Sequence, residues 1–238
     1  ADLRLFEFGK TYQRSMANGQ QSLKETHRLS IFLTGAHSSE SWQPSAKKSA
    51  DFFTLKTVVT NLLARLGVSG FQETTPQPTD LSVGLQYALK LHRGPQELVT
   101  FGSVAPQVLK KMDLKNPVFF ADFNFENVLK AVGGNKVQFT ELNKFPTVRR
   151  DLALVIDQSV GFGDIRQLAA KTAKKMLKEV NLFDVFEDEA KLGAGKKSYA
   201  VSFVFEDPEK TLQDKEIDGV MGQLVEVFEG KLGAMVRK

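Results

Sequence analysis

The tightest constraint on this chain is the order of its hydrophobic periods after residue 141. Two-residue alternation and helical spacing follow one another there as β-α-β-β-α-β. Asp151–Asp157 alternates as a strand. Ile165, Leu168, Ala169, Ala173, Met176 and Leu177 form the apolar stripe of a helix. Val180–Phe186 and Ser198–Phe205 read as strands joined by the loop Glu187–Lys197. Ile217, Val220, Met221, Leu224, Val225 and Phe228 form a second helical stripe, with Asp214 as the expected N-cap. Ala234–Arg237 closes as a short strand. This order predicts the ferredoxin-like split β-α-β plan, in which two helices cover one sheet face and the other stays open. An open face of this kind suits RNA, a protein partner or plain solvent, so the fold alone does not choose among them.

Residues 1–138 follow a different plan. Leu3–Phe8 and Leu23–Leu33 read as strands, and the turn pair Asn18-Gly19 between them predicts an antiparallel hairpin. Leu3, Leu5 and Glu7 share one face of the first strand; Arg4, Phe6 and Phe8 share the other. Phe52, Leu55, Val58, Val59, Leu62, Leu63 and Leu66 recur at helical spacing, with Gly67 where the helix should end. Further strands are expected over Leu85–Leu91, Leu98–Phe101 and Val118–Phe123, with a short helix from Pro106 to Lys111. The whole reads as an α+β chain: an antiparallel sheet with helices over 1–138, then the ferredoxin-like unit over 141–238. The boundary is expected near Gly133-Gly134-Asn135.

Bulk properties narrow the function only a little. The chain has 238 residues and a net charge of +4, which weakly favours polyanionic partners. Residues 1–140 hold 16 Lys and Arg against 11 Asp and Glu, whereas residues 141–238 hold 16 against 17. The second half is therefore not basic overall, and its cations cluster between Arg166 and Lys178. That run suits either a solvated helix face or contact with a phosphate backbone. There is no cysteine, which excludes disulfides and thiolate chemistry and is compatible with a cytoplasmic location. No apolar run approaches the roughly 20 residues of a membrane span. The chain opens on Ala1-Asp2-Leu3, directly into a strand, so an excised fragment or a processed terminus is expected.

The motifs for common chemistries are missing. His27, His37 and His92 stand in no metal-ligand spacing. No Gly-x-Ser-x-Gly elbow occurs. Gly193-Ala194-Gly195-Lys196-Lys197-Ser198 has Lys197 where a phosphate loop needs a hydroxyl, and it joins two strands, so it reads as a hairpin tip. Gly161-Phe162-Gly163 lacks a third glycine and reads as a helix start.

Lys144-Phe145-Pro146-Thr147-Val148-Arg149-Arg150-Asp151-Leu152-Ala153-Leu154-Val155 resembles the start of the anticodon-binding domain of phenylalanyl-tRNA synthetase β chains. Leu182–Phe186, Gly195–Ser198, Phe205–Leu212 and Lys231–Arg237 fit the same family in order. Leu5–Lys10, Arg28–Gly35, Asp51–Lys56 and Phe101–Pro106 resemble its class II synthetase-like core domain. In that family this copy of the class II fold is not the catalytic one. A working class II site has an Arg two residues before the Glu of its second motif; Leu5 stands there, and no Gly-rich, Arg-ending motif occurs around Phe123–Leu129.

The resemblance implies a non-catalytic part of an ATP- and magnesium-dependent ligase that joins phenylalanine to its tRNA. No catalytic, cofactor or metal residue is expected in this chain. Its first domain would pack against the catalytic α chain in a heterotetramer of two α and two β, and its second would bind the tRNA anticodon. The family strand that presents an Asp and an aromatic residue to the first anticodon base falls on Asp184 and Phe186. Phe186 replaces the family's Tyr, which keeps the stacking ring and loses a hydroxyl. Ser198 on the neighbouring strand is the expected base-edge donor or acceptor. Arg149, Arg150, Lys196 and Lys197 are expected to reach the tRNA backbone, with ion pairing inside the domain as the alternative for the two arginines. The alternative for the chain is a protein-interaction or amino-acid-sensing module without RNA contact.

Overall fold

The computed structural model describes residues 2–17, 20–36, 49–76, 84–133, 139 and 141–237. The chain is α+β and divides into two compact units, Ala1–Gln138 and Phe139–Lys238.

The first unit is one antiparallel sheet of six strands in the order β1-β2-β6-β5-β4-β3. These are β1 (Leu3–Ala17), β2 (Gln20–Thr34), β3 (Gln72–Thr74), β4 (Leu85–Arg93), β5 (Gln96–Val104) and β6 (Val118–Asn124). β1 and β2 run well past the expected strands and stay paired from Leu3↔Thr34 to Ala17↔Gln20. The turn pair Asn18-Gly19 lies outside the described residues. Helices α1 (Phe52–Arg65) and α3 (Phe125–Val132) pack on one sheet face, where Leu55, Val59, Leu63 and Val128 meet Leu33, Phe101 and Phe123. The third helix is α2 (Pro106–Lys111), as its spacing predicts.

Local chemistry fixes the ends of α1. The Asp51 carboxylate accepts from the Thr54 backbone N–H at 2.6 Å, satisfying a donor that the first turn leaves unpaired. At the other end Leu66 is the cap and Gly67 follows with φ +71. The Gly67 N–H reaches the Ala64 carbonyl and the Val68 N–H the Leu63 carbonyl. That pair of bonds is the Schellman arrangement, and its left-handed residue favours glycine. Two elements differ from expectation: β3 and α3 were not foreseen, and Asn124, whose side chain accepts from the Asn127 N–H, caps α3 directly after β6.

Gly102 is required by a close approach within this sheet. A Cβ built there collides with the Tyr87 carbonyl oxygen and the Ala88 Cα of the adjacent strand. The register between β4 and β5 shifts at Leu85/Tyr87, and this bulge presses the Tyr87 carbonyl against β5.

The second unit contains β7 (Val148–Asp157), α4 (Phe162–Ala173), β8 (Leu177–Phe186), α5 (Glu189–Leu192), β9 (Lys196–Phe205), α6 (Asp214–Leu232) and β10 (Met235–Arg237). Its four strands pair antiparallel in the order β10-β7-β9-β8. The added α5 is a single turn inside the loop expected between β8 and β9. Tyr199, Val201, Phe203 and Phe205 of β9 join Leu154, Ile156, Ile165, Ala169, Leu224 and Phe228 in the core under α4 and α6. Phe203, Phe205 and Phe228 are fully buried, and each such ring contributes roughly 1.5–3 kcal/mol of apolar burial.

Two expectations are corrected in this unit. The helical stripe does not extend to Met176 and Leu177: α4 stops at Ala173, Lys174 has φ +50, a 3-10 turn follows, and Leu177 already belongs to β8. The basic run Arg166–Lys178 is therefore split over helix, turn and strand, and Lys178 is paired with Glu206 at 2.5 Å. Asp214 is the first residue inside α6 rather than its cap. Gln213 is the cap, and its N–H donates to the Glu216 carboxylate at 3.1 Å. No helix among the described residues is long and apolar enough to cross a membrane.

Candidate nucleic-acid interface

The open face of the second sheet is built by strand alternation. Along β9, Tyr199, Val201, Phe203 and Phe205 face the helices, so Ser198, Ala200, Ser202 and Val204 face away. Pairing then sets two rows across the sheet. One runs Met235, Val155, Ser198, Phe186; the next runs Arg237, Ala153, Ala200, Asp184. The β8–β9 register shifts between Leu182 and Asp184, and Asp184 and Phe186 lie on the same side of that shift, two residues apart. They share a face for that reason.

The second row, with Ser198 and Phe186 of the first, lines an open depression of about 530 Å³. Asp184, Phe186 and Ser198 all line it, so the structure brings the three expected base-contacting residues together. Phe186 is 36% exposed and belongs to no cluster under α4 and α6. Ser198, at 8% exposure, lies in the floor beside it. Ala153 and Ala200 complete a floor without bulk, and a planar ring can settle on such a surface. Lys191 and Arg237 line the same depression and were not foreseen. Lys191 rides on α5, where the Asp188 carboxylate caps the Ala190 N–H at 3.0 Å and stands 3.5 Å from the Lys191 ammonium.

The four expected backbone contacts do not join this depression. Arg149 lies on the open face but makes two bonds to Asp151, at 2.9 and 3.2 Å, with its guanidinium 5.3 Å from the Phe183 ring centre. The Asp151 carboxylate raises the Arg149 pKa, first through that hydrogen bond and then through charge. Arg150 alternates to the helix side and donates to Asp214 at 2.6 Å. Lys197 is buried on the helix side, where its ammonium donates to the Gln158 carbonyl at 2.8 Å and lies 4.7 Å from the Tyr199 ring centre. Lys196 opens β9 opposite Asp157. The Asp157 pKa is lowered first by hydrogen bonds from Ser159 and further by the charges of Lys196 and Lys197. For both arginines the ion-pair alternative describes the geometry.

The sheet face of the first unit away from α1 and α3 carries Leu5 and Phe32. Leu5 pairs with Phe32, whose ring packs on Phe120 at 4.7 Å. On this face Arg28 bonds Asp122 at 3.2 Å and Lys90 bonds Glu97 at 2.8 Å. Burial pushes the Asp122 carboxyl up, against the pull of Arg28. Burial also opposes Glu97 ionisation, but hydrogen bonds from Lys90 and Thr100 and the Lys90 charge outweigh it, and the Glu97 pKa is lowered. Among the described residues no cluster of His, Asp and Glu could hold a metal ion.

Comparison with known proteins agrees with a synthetase-type pair of modules. The family described as "Phenylalanyl tRNA synthetase beta chain CLM domain" matches residues 1–125, and the one described as "Ferredoxin-fold anticodon binding domain" matches residues 143–237. The phenylalanine–tRNA ligase β subunit of Bacteroides fragilis is 41% identical over 244 residues, covering 100% of this chain and 29% of that protein. The β subunit of Porphyromonas gingivalis is 36% identical over 99% of this chain and 29% of its own length. Pyrrolysyl-tRNA synthetase from Desulfitobacterium hafniense is 20% identical, with a TM-score of 0.40 over 56% of this chain and 43% of its own. The chain belongs to the phenylalanyl-tRNA synthetase β chain family. It spans under a third of the length of the curated relatives it matches.

Proposed function

We propose that residues 141–238 bind the anticodon of phenylalanine tRNA on the open sheet face, within a phenylalanine–tRNA ligase. Residues 1–138 then form a catalytically silent class II body that packs against the α chain in a heterotetramer of two α and two β. ATP and magnesium act on the α chain, in the cytoplasm. One observation carries this reading: Asp184, Phe186 and Ser198 converge on a single open depression with a floor of small side chains. The Phe186 ring stacks an unpaired base, an interaction of about 1–3 kcal/mol. An ionised Asp184 only accepts hydrogen bonds, so it favours a base edge that offers adjacent donors. Ser198 adds a hydroxyl that serves either role. The silent role of the first body is supported by Leu5 where a working class II site has an arginine and by the ion-paired Arg28 and Lys90.

Titration of the chain with phenylalanine tRNA at several salt concentrations tests the reading. Saturable, salt-weakened binding that loses affinity when the first anticodon base is exchanged supports it. Binding of free amino acid without RNA, or contact with protein partners alone, replaces it with the interaction-module alternative.

A further inference from the structure

Arg237 and Asp184 end the same cross-strand row, with Ala153 and Ala200 between them. Three strand spacings separate them, about 14 Å. Both line the depression, and neither has a hydrogen-bond or ion-pair partner among the described residues. This differs from Arg149 and Arg150, each of which is held by a carboxylate of its own unit. The row thus offers an uncommitted anion at one end, an uncommitted cation at the other, and nothing bulky between.

Opposite charges at the two ends set the orientation of an RNA strand laid on this face. Phosphate is repelled at Asp184 and attracted at Arg237, while Lys191, the other cation of the depression, stands 3.5 Å from the Asp188 carboxylate. A base edge with donors is accepted at Asp184, and its ring is stacked at Phe186. We propose that Arg237 is the phosphate anchor of this site, so that the sugar–phosphate backbone runs along the β10 edge and the bases point across the sheet toward β8. The inference rests on the anticodon reading above and adds to it a residue and a strand direction. The guanidinium fork suits a phosphate through two parallel bonds. β10 needs no Arg237 to stay in place, because Val236 packs into the core and Met235–Arg237 pair with β7 through their backbones.

The test measures binding of a fluorescent anticodon stem-loop of phenylalanine tRNA to the full chain, from about 50 to about 200 mM salt. Arg237→Gln should weaken binding about ten-fold, equally for all four first anticodon bases, and lower the salt slope by about one phosphate. Arg237→Lys should restore most of the slope. Arg237→Ala is run beside Arg237→Gln, and the result is taken from the variant that keeps the wild-type melting temperature. Unchanged affinity or slope overturns the anchor, as does a loss that depends on the base. If Phe186→Ala and Asp184→Asn weaken binding while Arg237→Gln does not, the anchor falls and the anticodon reading stands. If the unaltered chain does not bind the stem-loop, both fall.

Discussion

The Lys191 ammonium stands 5.6 Å from the centre of the Phe186 ring. The stacking platform is therefore partly shielded by a cation from the loop beside it. A cation–π contact at an exposed site contributes about 0.5–1 kcal/mol, less than the roughly 1–3 kcal/mol of base stacking. A base stacked as proposed would displace the lysine. Phe186→Ala should weaken stem-loop binding about ten-fold or more and leave the melting temperature of the second unit within a few degrees, since the ring lies outside the helix-covered core. Fluorescence titration and circular dichroism read the two effects separately. Retained affinity would remove Phe186 from the site.

Gly102→Ala should cost the first unit on the order of 1–3 kcal/mol. The added methyl meets backbone, the Tyr87 carbonyl and the Ala88 Cα, rather than the free end of a side chain. Urea denaturation of the variant, with a lowered midpoint and an unchanged second unit, is the expected result. An unchanged midpoint would mean that the β4 bulge relaxes.

The second unit should lose stability in acid. The Glu216 pKa is lowered by its bond from Lys210, with help from the Gln213 N–H. The Glu206 pKa is lowered by its bond from Lys178 and less by Asn143. Both folded values lie below the unfolded value of about 4.3. Their contribution is thus complete above that pH and disappears as pH falls through the folded values. Glu216→Gln should lower the melting temperature at neutral pH and flatten its decline below about pH 4.3. Equal slopes for variant and parent would show that the Lys210 contact contributes nothing.

Removing the α1 cap offers a smaller test. Asp51→Ala frees the Thr54 N–H and should cost about 1 kcal/mol. A denaturation midpoint that does not move would show that water satisfies the first turn equally well.

The strands of the second unit were legible because their alternation coincides with burial: Tyr199, Val201, Phe203 and Phe205 form an unbroken period of two facing the core. The end of α4 was not. Met176 and Leu177 continue the helical spacing from Ala173, and only the backbone at Lys174, with φ +50, breaks it. α3 was missed because no Gly or Pro separates it from β6. Asn124 serves as last strand residue and helix cap at once. Asp184, Phe186 and Ser198 were placed by likeness to a family, and their two-residue spacing placed the first two on a common face. Lys191 and Arg237 carry no such local mark. Arg237 enters the depression only because β10 pairs with β7, an adjacency more than 80 residues apart in sequence. The expected β-α-β-β-α-β plan contained that adjacency, and small Ala153 and Ala200 on the central strands were the signal that could have drawn attention to its row.

β1 is the outermost strand of the first sheet, fifteen residues long, with Phe6 at 77% exposure and Phe8 and Tyr12 also uncovered. A rim of that length carries a row of main-chain donors and acceptors ready to zip onto a similar rim. Released from any neighbour, the polypeptide should crowd with its own kind as concentration rises, and light scattering should report it. A lysine in place of Phe6 should suppress the crowding without loosening the sheet.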